Sequence, residues 1–232
     1  MDPYCLTRYA VAMNEQEWLT ATDPSLMLWF LRDRASQRKL RLFATTCCRR
    51  AADLFPDRRL QNTIHIAERM ADGGVTEAER LAAETAADDA AQEDPYVIDL
   101  NTHLLIPRSL VAVRFATSAA SSDAAGIVYA SMWHGEGSFD GIDAEVRAEQ
   151  ADLMRELFGN PFQPVAFDPS WRTEAAVGLA RGMYYTRSFD AAPVLADALE
   201  DAGCADAAVL GHLRGGGAHV RGCWVVDGVL GL

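Results

Sequence analysis

Residues 32–55 read RDRASQRKLRLFATTCCRRAADLF and carry the clearest helical pattern in the chain. At about 100° per residue, one face roughly 120° wide collects apolar side chains, namely Leu40, Phe43, Ala44, Cys47, Ala51, Leu54 and Phe55. Ser36 suits the N-cap position, and Pro56 cannot continue a helix beyond Phe55. The segment predicts an amphipathic helix packed on a core, with Cys47 in the middle of the apolar face and Cys48 at its edge.

The rest of this helix is basic. Residues 32–59 contain nine basic and three acidic residues, a local charge of +6, whereas the whole chain carries −12. Arginine binds carboxylates and phosphates through paired hydrogen bonds. We therefore expect a ligand site for a small anion or an acidic protein partner, formed by Arg38, Arg41, Arg49 and Arg50. The alternative is internal neutralisation, in which the acidic segment 77–99 lies against the basic helix.

Composition predicts a globular, cytoplasmic protein. Half of the 232 residues are apolar, but no run approaches the roughly 20 apolar residues that a membrane helix needs. The first residues lack the basic and apolar regions of a signal peptide. Five cysteines, two of them adjacent, do not indicate a disulfide framework, and an acidic chain is a poor binder of nucleic acid.

Helix start and stop signals recur along the chain and predict an all-α fold of about ten helices. Capping patterns stand at Asn14–Glu17, Asp23-Pro24 and Thr76–Glu79, and later helices are expected over 171–185 and 219–230. The break HGEGS at 134–138 divides the chain into an N-terminal helical bundle, 1–134, and a C-terminal helical segment, 135–232, packed on it.

The C-terminal segment contains four side chains that suit zinc, which are Cys204, His212, His219 and Cys223. On a helix over 219–230, His219 and Cys223 would share one face. The spacing matches no common zinc motif, so histidines that hydrogen-bond at helix ends are the alternative.

Two further patterns concern chemistry. Asp227 in an apolar helix predicts either a structural ion pair or a general base that works with His219 in a cleft between the two halves. The pattern DDAAQE at 88–93 is typical of helices that hold Mg²⁺ against a diphosphate, although it also suits a solvated acidic face. The cofactor hypotheses are therefore Zn²⁺ and Mg²⁺.

Several segments resemble a family of bacterial proteins that is abundant in planctomycetes and also found in actinobacteria. They are EWLTATDP at 17–24, FLRDRASQRKLRLFATTCCRR at 30–50, FGNPFQPVAFDPSW at 158–171, LADALEDAGC at 195–204 and HLRGGGAHVRGCWVVDGVLG at 212–231. The resemblance covers 14–75 and 157–232. It implies a cytosolic bacterial protein and carries over no catalytic residue.

These observations lead to two function hypotheses. The first is a cytosolic ligand-binding or interaction protein that recognises an anionic partner through its arginine-rich helix. The second is a small-molecule enzyme, either a lyase or cyclase or a metal-dependent hydrolase, with its cleft between the two helical halves.

Overall fold

The computed structural model describes residues 13–32, 34–50, 57–93 and 142–232. Within these ranges the chain forms ten α-helices, one 3-10 turn and no strand, which confirms the all-α prediction. The helices are α1 (Glu15–Thr20), α2 (Pro24–Leu31), α3 (Gln37–Arg50), α4 (Arg58–Ala71), α5 (Glu77–Glu93), α6 (Ile142–Phe158), α7 (Glu174–Thr186), α8 (Ala192–Asp201), α9 (Ala207–Arg214) and α10 (Trp224–Leu230).

Side-chain caps set the helix starts that the sequence predicts. The Asn14 side chain accepts a hydrogen bond from the Glu17 N–H at 2.9 Å, and the Glu17 carboxylate accepts one from the Asn14 N–H at 2.8 Å. Asp23 accepts from the Ser25 N–H at 2.8 Å, with Pro24 in the first helical position. Each cap satisfies a backbone donor that the first turn leaves without a helical partner.

The central helix α3 is buried over a wider arc than its apolar pattern predicts. Its buried side chains are Leu40, Leu42, Phe43, Ala44, Thr45 and Cys48. Thr45 can be buried because its hydroxyl donates to the Arg41 carbonyl at 3.0 Å. The expected order of the two cysteines is reversed, since Cys48 is buried and Cys47 only half-buried. The predicted C-terminal end of this helix, residues 51–56, lies outside the described ranges.

The chain divides into two compact units, residues 1–152 and residues 153–232. The predicted boundary at residue 134 lies outside the described residues. In the first unit α3 packs on α4, and α4 packs on α5. None of the helices in the described ranges combines the length and apolar character that a membrane crossing requires.

The second unit has a continuous core in which α8 packs on α7 and α9, and α10 packs on α7. Two of its helices start later than the sequence predicts. The expected helix 171–185 begins at Glu174, because the 3-10 turn Pro169–Trp171 precedes it and Thr173 caps its first turn. The expected helix 219–230 begins at Trp224, because Gly222 has a φ of +92°, which an α-helix cannot include.

A close approach between α10 and Phe167, which lies just before the 3-10 turn, requires a glycine at position 228. The Phe167 ring lies so near Gly228 that a Cβ atom there would come closer than 3.0 Å to the ring carbons. Gly228 is therefore a notch in α10 that receives an aromatic side chain, although glycine weakens a helix interior.

We expect Gly228→Ala to lower the free energy of unfolding by about 1–3 kcal/mol, because the added methyl group overpacks the contact with Phe167. The matched control is Gly178→Ala in α7, where an added Cβ meets no atom within 4 Å. That substitution should raise the free energy of unfolding by roughly 0.5–1 kcal/mol through helix propensity. Urea denaturation measures the free energy of unfolding of both variants. Equal changes in the two variants would contradict a close contact between Gly228 and Phe167.

Candidate metal centre

Four side chains with metal-binding atoms meet in the second unit. They are Glu156, His212, His219 and Cys223, and their ligand atoms all lie within 4.8 Å of one another. Three of them are predicted from the sequence. Cys204, the fourth predicted ligand, is buried in the apolar core and does not belong to this group. Glu156 takes its place and is a residue that the sequence reasoning missed.

The spacing of the four groups resembles that around a metal ion. His212 Nε2 lies 3.2 Å from a Glu156 carboxylate oxygen and 3.2 Å from Cys223 Sγ. His219 Nδ1 lies 3.2 Å from the other Glu156 oxygen. In a tetrahedral zinc site, bond lengths of 2.0–2.3 Å place neighbouring ligand atoms about 3.3–3.6 Å apart. The three contacts of 3.2 Å are within a few tenths of an ångström of this spacing, whereas the widest pair in the group, at up to 4.8 Å, would have to close by about 1 Å around an ion.

Glu156 and His212 are positioned by the helices that carry them. Glu156 lies in the last turn of α6, and its neighbours Leu153 and Leu157 are fully buried. His212 lies in the last turn of α9, where Leu213 anchors the helix in the core. The carboxylate and the imidazole are thus held by the burial of adjacent leucines.

The other two ligands come from the turn before α10. Cys223 donates its N–H to the Val220 carbonyl at 2.9 Å, which closes the turn that follows His219. The Cys223 carbonyl accepts from the Asp227 N–H at 2.9 Å and so begins α10. His219 and Cys223 do not share a helical face, contrary to the sequence prediction, but the turn brings both into the group.

Burial and charge act in opposite directions on the Glu156 carboxyl. Its burial alone would raise its pKa, but hydrogen bonds and charge from His212 and His219 lower the pKa to about 2. The Val220 N–H also donates to Glu156 at 3.3 Å. Burial, followed by the charge of Glu156, raises the pKa of the Cys223 thiol well above its usual value. Without a cation, the group therefore contains a carboxylate and a protonated thiol.

His212 cannot satisfy both of its short contacts with a single proton. A proton on Nε2 can point at the Glu156 oxygen or at the Cys223 sulfur, but not well at both. An Nε2 without a proton can accept from the thiol, but its lone pair then faces the carboxylate oxygen at 3.2 Å. Because Glu156 is ionised, it has no proton to donate. If Nε2–H and the thiol both donate to Glu156, the 3.2 Å contact between nitrogen and sulfur carries no hydrogen bond. A cation between the three atoms would bind all of them.

Aromatic rings surround the two histidines. The His212 and His219 ring centroids are 4.9 Å apart, Trp224 lies 5.2 Å from His212, and Phe189 lies 6.2 Å from His219. Among the described residues, the buried His219 Nε2 finds no hydrogen-bond partner. The site is therefore enclosed by a mainly apolar shell.

The other residues with predicted chemistry lie outside this group. Asp227, the predicted general base, is buried on α10, while His219 contacts Glu156. In the predicted magnesium motif, Asp88 and Asp89 are exposed, and Glu93 is 2.8 Å from Arg59. Both hypotheses stay predictions.

The predicted anion-binding arginines contact carboxylates of their own chain. Arg49 makes two hydrogen bonds of 2.6 and 2.7 Å to the buried Glu68. Arg38 lies 3.1 Å from Asp72. Charge neutralisation at these two positions thus comes from α4 and its C-cap.

The two remaining arginines of the predicted site differ from each other. Arg50 is exposed and lies 3.9 Å from Glu149. Arg41 is half-buried, and desolvation lowers the pKa of its guanidinium. The acidic helix α5 pairs instead with α4, through Arg69 and Glu79 at 3.2 Å. Recognition of an external anion by these arginines stays a prediction.

We expect Arg49→Ala to lower the free energy of unfolding by about 1–3 kcal/mol, because it removes two hydrogen bonds from the buried Glu68 carboxylate. Arg50→Ala removes an exposed arginine from the same helix and should change stability by less than about 0.5 kcal/mol. Urea denaturation of the two variants tests this difference. Equal losses would mean that Arg49 has no special role in holding α3 to α4.

The lowered pKa of Glu156 predicts an acid-sensitive stability in the metal-free protein. Its folded pKa of about 2 lies below the ordinary 4.5, so its stabilisation is present above pH 4.5 and is lost as the pH falls towards 2. The full effect is about 3 kcal/mol. In chelator-treated protein, the stability difference between wild type and Glu156→Gln should narrow across this pH window. A constant difference would contradict the lowered pKa.

No family model, curated protein or solved structure gives a significant match. The resemblance to the bacterial family seen in the sequence segments therefore stays a prediction.

Proposed function

We propose that residues 153–232 form a zinc-binding unit in which one Zn²⁺ is held by Glu156, His212, His219 and Cys223. The observation that carries the proposal is the position of His212 Nε2, which lies 3.2 Å from both a carboxylate oxygen and a thiol sulfur. A metal ion at this point would bind the imidazole, the carboxylate and the sulfur at once, in place of the separate hydrogen bonds to Glu156 that they make without it.

Charge balance supports a divalent ion. Metal binding would replace the thiol proton of Cys223, which leaves a thiolate, the Glu156 carboxylate and two neutral imidazoles. Two negative charges neutralise one divalent cation, and a neutral assembly is the least costly one to bury. Cys223 is fully buried and Glu156 is 9% exposed, so neutralising their charges greatly lowers the free-energy cost of burying them.

The types of ligand favour zinc over magnesium. Thiolate and imidazole are ligands that zinc prefers, whereas Mg²⁺ takes oxygen ligands and retains several waters. Of the two predicted cofactors, Zn²⁺ is therefore the one that suits this group.

Four protein ligands favour a structural role for the metal. A catalytic zinc site usually has three protein ligands and leaves a position open for water or substrate. A four-ligand site would instead join the end of α6, the end of α9 and the turn before α10. We accordingly propose a ligand-binding or interaction protein whose zinc stabilises the second unit, in preference to a metal-dependent hydrolase.

The cytoplasmic setting predicted from the sequence belongs to this proposal. A zinc thiolate requires a reduced cysteine, and a reducing compartment maintains that state. Among the described residues, the four cysteines are free thiols, which is compatible with such a compartment.

Zinc analysis of the reduced, full-length chain should find about one zinc per molecule. Cys223→Ser and His212→Ala should lose most of this metal, because each removes a ligand. The matched control is Cys204→Ser, which changes an equally buried cysteine outside the group and should keep the metal. Cobalt substitution should give a thiolate-to-metal charge-transfer band that Cys223→Ser abolishes.

Three results would contradict the proposal. The first is a wild-type chain that takes up no zinc after reduction and reconstitution. The second is a Cys223→Ser variant that binds zinc as the wild type does. The third is a loss of zinc in Cys204→Ser, which would indicate the ligand set predicted from the sequence.

A further inference from the structure

Trp224 contacts one of the four proposed metal ligands, His212, and also the aromatic ring of Phe167. Its ring centroid is 5.2 Å from that of His212, with a tilt of 51° between the rings. On another side it meets Phe167, edge to face, at 6.1 Å. Phe167 itself occupies the notch at Gly228. A ligand imidazole is thus supported by a connected set of aromatic contacts.

Gly159 completes this arrangement at the end of α6. It has a φ of +64°, and its N–H donates to the Arg155 carbonyl at 2.9 Å. A Cβ atom at this position would lie 3.1 Å from two ring carbons of Trp224. The glycine therefore lets the helix that carries Glu156 end directly against the indole.

We infer that Trp224 and Gly159 are positioning residues of the metal site, which hold His212 towards the ion and slow metal release. This inference rests on the proposed zinc-binding function. Neither residue supplies a ligand atom. Trp224 acts through the His212 ring, and Gly159 acts by leaving space for Trp224.

His212 is the ligand at which release would begin. Its side chain is 20% exposed, against 10% for Glu156 and 6% for His219. Water or a competing chelator can reach this imidazole first, and loss of the metal then requires the ring to rotate away. The indole restricts both the rotation and the access of water. Changes around metal ligands commonly weaken metal affinity 10- to 100-fold.

The alternative is that Trp224 is an ordinary core residue. In that case its truncation would lower the unfolding midpoint through lost packing. It would not change the rate at which the folded protein releases zinc. Metal release measured well below the unfolding transition therefore separates the two roles.

The experiment follows transfer of zinc from the loaded, full-length chain to excess chelator, at a temperature where circular dichroism shows every variant to be folded. Trp224→Leu should release zinc about tenfold faster than wild type. Trp224→Phe retains an aromatic ring and should stay close to the wild-type rate. Gly159→Ala should also accelerate release, because its methyl group displaces the indole.

The matched control for the glycine is Gly203→Ala. Gly203 has a φ of +90°, so alanine there is strained in the same way, but an added Cβ meets no atom within 4 Å. Gly203→Ala should leave the release rate unchanged. Equal acceleration by the two glycine variants would show that backbone strain alone is responsible, and would overturn the role of Gly159.

The results also separate this inference from the proposed function. A wild-type chain that binds no zinc removes both. A wild-type chain that binds zinc, with Trp224→Leu releasing it at the same rate, overturns the inference and leaves the zinc site standing. If Trp224→Leu does not fold, the comparison of Gly159→Ala with Gly203→Ala decides.

Discussion

The second unit depends on a carboxylate buried at the end of α6. An ionised carboxylate in an apolar interior is costly unless donors or positive charge surround it. Glu156 accepts hydrogen bonds from His212, His219 and the Val220 N–H, and the two histidines keep its pKa at about 2 in spite of its burial. To supply them, α9 has to end beside α6, and the turn before α10 has to close over the same point. The contacts of one side chain therefore connect three segments, which the burial of neighbouring apolar residues holds in place.

Most of the predicted helix starts depend on local capping signals, and these signals can be recognised in the sequence. Asn14, Asp23 and Thr76 act on backbone donors two or three residues away, and each starts a helix as expected. The start of α10 was missed because Gly222 adopts a positive φ, and an apolar pattern does not record this conformation. Periodicity locates the apolar residues, whereas the backbone at a glycine decides where the helix begins.

The metal group was only partly predictable for a different reason. His212, His219 and Cys223 are distinctive residue types, and they lie close together in the sequence. Glu156 is one of many acidic residues, and tertiary packing alone brings it to the group. One signal was available: Glu156 adjoins Leu157 on the buried side of α6, where an acidic residue is unusual. Cys204 has the right chemistry, but the fold does not bring its sulfur to the group, which spacing cannot reveal.

Each unit contains a buried carboxylate, and the two carboxylates have different partners. In the first unit Glu68 is held by Arg49, whose guanidinium keeps its proton under all ordinary conditions. This pair is complete, so Glu68 has no need of a metal ion. In the second unit Glu156 is held by imidazoles, which can give up their protons and bind a metal through the same nitrogen atoms. A neighbouring thiol then adds a second negative charge. The chemistry of the partner, and not the burial of the acid, makes the second carboxylate a candidate metal ligand.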